Sequence, residues 1–208
     1  MVRIRIHYAR TESLRYVGNL DMHKVWERFL RRAHLPVAYS QGYHPQPKIQ
    51  QACPLPLGFL GEDEIIDIWL TLDQAVVLDI AHALTTLEQP GIQIHEITQV
   101  ATNDPAMMTQ ITAAEYRVIY LDNENRHSIS ARIEHLLAEE SLLREKRGKK
   151  YNLRPLITSL QLKSIQPVEF EMCLSAKEGA TGRPEEVLTE LGLDPLAARY
   201  IRTRLLVG

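Results

Sequence analysis

The segment Ser40-Gln41-Gly42-Tyr43-His44-Pro45-Gln46-Pro47-Lys48 holds the densest set of side chains able to do chemistry. Tyr43 and His44 can stack on or hydrogen-bond a nucleotide base, and Lys48 can meet a phosphate. The prolines stiffen the segment, which lowers the entropic cost of ordering it on binding. His44, with Tyr39, Tyr43 and Lys48, is the one grouping suited to general acid–base work, and Asp21 and His23 near a helix start can join it. A proline-rich edge that blunts strand pairing accounts for the same residues. A second group, Lys149-Lys150-Tyr151-Asn152-Leu153-Arg154-Pro155, ends a basic run. Arg154 there can clamp a phosphate or carboxylate in bidentate fashion, or pair with one of the chain's own acids. A third, Gly179-Ala180-Thr181-Gly182-Arg183-Pro184-Glu185, is a glycine-flanked turn into a helix, where backbone at Gly182 and Arg183 can cradle an anion. It is no P-loop, because no Lys-Ser/Thr follows. Glu185 and Glu186 already complement the helix dipole, which favours a capping role.

The net charge of −2 conceals a segregation. Residues 1–48 carry nine Lys/Arg against three Asp/Glu, residues 49–138 three against thirteen, and residues 139–155 six against three. Such runs are often solvated faces. The sharper expectation is one polyanion surface assembled from both basic blocks, with Arg28, Arg31, Arg32 and Lys48 from the first and Lys149, Lys150 and Arg154 from the second. Eight histidines show no metal spacing, and Cys53 and Cys173 are too few and too far apart for a zinc ribbon or an iron–sulfur cluster. No metal and no cofactor are expected. No window approaches the ~20 apolar residues of a membrane span, and the N-terminus lacks the apolar run of a signal peptide, so a cytoplasmic protein is expected.

The elements that must position these groups follow from periodicity. Val2, Ile4, Ile6 and Tyr8 alternate with Arg3, Arg5 and His7, a period-2 strand. Met22, Val25, Trp26, Phe29, Leu30 and Ala33 recur at helical spacing, with Asn19 or Asp21 as candidate caps and Arg28, Arg31 and Arg32 on the outer face. Val37–Tyr39 is a short strand candidate, Ser40 to Gly61 reads as a structured loop, and Ile66 to Leu72 alternates as a strand. Asp73 is placed to cap a helix through Val77, Ile80, Leu84 and Leu87, and Ile92 and Ile94 begin a further strand. The order is β-α-β-β-α-β, a ferredoxin-like unit.

The order then restarts, with strands at Tyr116–Tyr120, Val168–Leu174 and Ile201–Val207, a helix opened by Ser128, and another from Pro184 to Gly192. Strand placement between 141 and 162 is not legible. The expected fold is α+β, two ferredoxin-like units in tandem: 1–100, a linker at 101–113, and 114–208. On the face opposite the helices, Arg3, Arg5 and His7 lie beside Asp67 and Trp69, as basic and aromatic groups do on sheets that stack RNA bases; burial of that face between the halves is the alternative.

Leu14-Arg15-Tyr16-Val17-Gly18-Asn19-Leu20-Asp21, Arg31 to Pro36, Tyr39 to Lys48, Leu55-Pro56-Leu57-Gly58, Tyr151 to Leu156 and Gly179 to Glu186 together resemble the radical SAM-associated (radical SAM-linked) bacterial domain of unknown function. Two departures stand out. The family usually has a histidine before Leu-Asp, where this chain has Gly18-Asn19, and often Gly-Phe-Asn-Pro-His-Pro, where this chain has Gly42 to Pro47. The resemblance implies an accessory role beside a separate radical SAM protein, in RNA modification or processing. The chain has no C-x-x-x-C-x-x-C and cannot hold that enzyme's cluster itself. The expected function is therefore a non-catalytic RNA-binding module. The alternatives are a protein-interaction scaffold for the enzyme and a metal-independent RNA-processing enzyme.

Overall fold

Alternating apolar and basic residues give the first strand, β1 (Val2–Arg10), two unlike faces. The computed structural model describes residues 1–73, 76–122, 129–146 and 148–208, which form two units, Met1–Gln110 and Ile111–Gly208. In the first unit β1 leads into α1 (Asn19–Arg32), β2 (Ile49–Gln51), β3 (Leu60–Leu70), α2 (Val77–Thr85) and β4 (Ile92–Val100). The helical turn α3 (Met107–Gln110) ends it. The strands lie in the order β4-β1-β3-β2, all antiparallel, which is the ferredoxin-like arrangement. Ile4 faces Ile68 and Ile6 faces Ile66 across β1 and β3. On that side of the sheet the core takes Met22, Trp26 and Leu30 of α1 and Ile80 and Leu84 of α2.

Arg10 sets how β1 passes into α1. Its buried guanidinium donates to the carbonyls of Leu14 (3.1 and 2.7 Å), Arg15 (3.2 Å) and Val17 (2.5 Å), fixing the turn before the helix. Gly18 is the N-cap of α1, so Asn19 and Asp21 lie in its first turn rather than capping it. Likewise Val76, not Asp73, stands at the N-cap of α2. The second strand also differs from the expectation. Val37 makes only an isolated bridge to Leu70, and the ladder with β3 is formed by Ile49–Gln51 inside the stretch read as loop. Only Ile49 of those three is buried, so the segment shows no alternation.

The second unit begins with β5 (Ile111–Tyr120) and α4 (Ile129–Ala138), continues through a hairpin of β6 (Leu143–Lys146) and β7 (Lys149–Asn152), then β8 (Ile157–Ile165), β9 (Val168–Lys177), the two-residue β10 (Ala180–Thr181), α5 (Pro184–Glu190) and β11 (Ala198–Val207). β5 and α3 thus occupy part of the stretch 101–113 read as linker. Ser128 lies outside the described residues, as does Arg147 of the basic run. The order β11-β5-β9-β8 repeats the ferredoxin-like plan. The β6–β7 hairpin is an insertion between the first helix and second strand of that plan, and its two strands form a sheet of their own. Among the described residues no helix is long and apolar enough to cross a membrane.

Candidate nucleic-acid interface

The β6–β7 hairpin is a basic ribbon with a fixed root. Arg144 stands opposite Tyr151, and Glu145 opposite Lys150. Arg144 Nη1 pairs with Glu190 Oε1 of α5 at 2.9 Å. The Tyr151 hydroxyl bonds Glu186 of the same helix. Burial, then that hydrogen bond and the Glu186 charge, hold the phenol above its ordinary pKa. Arg183 also pairs with Glu186, at 3.2 Å. These ties engage Arg144 and Arg183 and fix the ribbon to α5. Lys149 and Lys150 are left exposed, with no ion pair to a described residue.

Arg154 is bidentate, but not toward a ligand. Its Nε and Nη2 donate to the Leu137 carbonyl at 3.2 and 2.9 Å, and Nη1 to the Ile157 carbonyl at 3.3 Å. The last turn of a helix has unpaired carbonyls, and Arg154 serves one at the end of α4. The anion cradle at Gly182 and Arg183 is likewise occupied from within. The Gly182 N–H donates to Ser175 O at 2.8 Å, and a Cβ on Gly182 would lie 3.1 Å from the Leu156 carbonyl. Gly182 is thus a close-packing position, Arg183 a partner of Glu186, and α5 only seven residues long.

In the first unit the three arginines of α1 have different surroundings. Arg31 pairs with Glu27 at 2.6 Å. Arg32 donates to Gln89 Oε1 and lies over the Phe29 ring. Arg28 is exposed and makes no ion pair with a described residue. The Ser40–Lys48 segment is a closed-necked finger rather than an open loop. Tyr39 and Pro47 bridge, and Lys48 N–H donates to Ala38 O at 2.8 Å. Residues Gln41 to Gln46 are exposed and Lys48 is half-buried.

The sheet face away from the helices is not a free stacking surface. Arg3 Nη2 and Arg5 Nε meet Asp67 at 2.5 and 2.9 Å, and Arg3 and Asp67 are buried. Arg3 also donates to the carbonyls of Asp104 (2.6 Å) and Pro105 (3.1 Å), and its guanidinium lies 4.9 Å from the Trp69 ring. Arg3 is therefore internal, and Arg5 is engaged by Asp67. A feature not singled out by sequence reasoning lies at the other end of β1, where His7 Nδ1 is 2.8 Å from Asp63 Oδ1 and both remain partly accessible. Their separation in sequence hid it. The chain also contains no Asp or Glu from Arg28 through Gly61, a signal available in the sequence.

No curated protein matches the chain. Among solved structures, the acetolactate synthase small subunit from Thermotoga maritima is 12% identical, covering 100% of this chain and 96% of its own, with a TM-score of 0.29. A putative glycine cleavage system transcriptional repressor is 11% identical, covering 100% of this chain and 98% of its own, with a TM-score of 0.26. The ferredoxin-like plan of each unit stands on its own strand order. A family model described as "uncharacterized protein conserved in bacteria" (DUF2344) matches residues 3–184, and the chain belongs to that bacterial family.

Proposed function

We propose that this chain is a non-catalytic RNA-binding module that works beside a separate radical SAM enzyme in RNA modification or processing, tRNA being the first substrate to try. One observation carries the RNA reading. The β6–β7 ribbon is an insertion in the ferredoxin-like plan, its root is fixed to α5 by Arg144–Glu190 and Tyr151–Glu186, and it presents Lys149 and Lys150 to solvent. A pre-ordered ribbon whose exposed lysines pair with no described residue suits a polyanion, because little ordering remains to be done on binding. Arg28 and Lys48 of the first unit add to the same reading. The resemblance alone supports the radical SAM partner.

Electrophoretic shift of total small RNA at two salt concentrations tests it. Wild type should bind, with an affinity that falls as salt rises by ~0.7 in log–log slope per neutralised phosphate. Reversing Lys149 and Lys150 to Glu should weaken binding to every RNA and flatten the slope, with stability changed by less than about 0.5 kcal/mol. Identical slopes for the two proteins would remove the ribbon from the interface, and no shift by wild type would favour the scaffold reading. The His7–Asp63 pair favours a second reading, an RNA-processing enzyme. RNA cleavage lost in His7→Ala would establish it.

A further inference from the structure

The finger of the first unit presents an aromatic ring that the fold does not use. Both arms of the finger are fastened to one residue of β3: Ala38 N–H donates to Trp69 O (2.7 Å), and Trp69 N–H donates to Lys48 O (3.1 Å). Above that, Ser40 N–H donates to Gln46 O (2.8 Å), and Gln46 N–H donates to Ser40 Oγ (2.9 Å). Pro45 and Pro47 fix their own φ angles, and Gly42, at φ +140°, takes a backbone conformation that side chains resist. At the tip Tyr43 is 102% exposed, so the ring buries neither face against the protein. Single exposed apolar residues are ordinary on a mobile surface. A fully hydrated ring on a loop fastened at its neck is different, because part of the backbone ordering cost has already been met in folding.

The neighbouring sequence narrows what the ring can hold. From Arg28 through Gly61 there is no carboxylate, while Lys48 sits at the neck and His44 beside the ring. A strand of nucleic acid supplies both complements, a planar π-face and a phosphate. We propose that Tyr43 is a stacking platform for an unpaired base, with Lys48 meeting the neighbouring phosphate, so that the RNA is single-stranded where it crosses the finger. This rests on the RNA-binding reading above and adds the class of RNA. A duplex keeps its bases stacked on one another and offers Tyr43 no face.

The test compares the full chain with Tyr43→Ala and Tyr43→Phe, using a labelled single-stranded RNA of roughly twelve nucleotides and the same sequence as a perfect duplex. Tyr43→Ala should weaken single-strand binding by about 5- to 100-fold and leave duplex binding unchanged, and Tyr43→Phe, which keeps the ring, should stay within about twofold of wild type. In Tyr43→Trp the added indole fluorescence should be quenched by the single strand and not by the duplex. Wild type that binds RNA while Tyr43→Ala binds the single strand equally well would overturn the stacking platform and leave the RNA reading standing. Equal losses on both RNAs would also overturn it, as a contact that does not distinguish an unpaired base. Absence of any RNA binding by wild type would overturn both.

Discussion

Asp67 faces two guanidiniums at once, Arg3 and Arg5, from a position with no solvent exposure. Removing its charge while keeping its shape leaves two cations competing for one amide, and breaking a buried pair from one side typically costs about 3–5 kcal/mol. Asp67→Asn should lower stability by that order in urea titrations, and no change would mean that the carbonyls of Asp104 and Pro105 already suffice for Arg3. Tyr200 gives a pH signature. Its hydroxyl donates to Pro195 O at 2.7 Å, and burial first, then the charges of Glu185 and Asp194, raise its pKa far above that of a free phenol. The folded state thus holds a proton that the unfolded chain releases above about pH 10. The stabilisation is complete below that pH and lost as pH rises beyond it. Wild type should lose more stability between about pH 8 and about pH 11 than Tyr200→Phe, and parallel losses would assign the alkaline sensitivity elsewhere. At this scale the sequence supplies donors but not their acceptors. Arg154 reads as a fork for a phosphate or carboxylate, and no pattern in the chain distinguishes those from the carbonyls of Leu137 and Ile157 that it serves.

Elements were legible where the apolar core draws residues at a regular period. β1, α1 and β3 show their periods openly because the core takes every second or every third and fourth residue. β8 was not legible, because its ladder with β9 slips between Ile157 and Ser159 and again between Leu162 and Ser164, and each slip breaks the period-2 pattern. The β6–β7 ribbon was hidden for another reason: it packs no continuous apolar face, and its hold on α5 is made by charged and phenolic groups. Corners also carry constraint. Gly91 has φ +88°, its carbonyl accepts from Thr11 N–H at 3.0 Å, and a Cβ there would overlap the Leu14 side chain. Gly91→Ala should therefore destabilise by roughly 1–3 kcal/mol from backbone strain alone. Adding Leu14→Ala should recover part of the steric cost but not the strain, which a double-mutant cycle in denaturant would separate.

At the scale of the whole molecule, both units carry the same strand plan, each complete in its own segment. The duplication was visible as a repeated order of elements, though no repeated residues mark it. The first unit has its own core, built on Trp26, Phe29 and the isoleucines of β1 and β3. A fragment of residues 1–110 should consequently fold, with a mixed helix–strand circular dichroism spectrum and a cooperative melt; a fragment without a melting transition would show that the core does not suffice. Arg10 and Arg154, one in each unit, have a consequence of a different kind. A guanidinium seated among main-chain carbonyls answers to the fold, so its replacement costs stability whatever the chain binds. Lys149 and Lys150 are exposed and pair with no described residue, so their replacement leaves the ties of the ribbon to α5 intact. On the reading proposed above, a change of ligand is written at the two lysines, while the arginines, which look like the stronger signature, follow the fold alone.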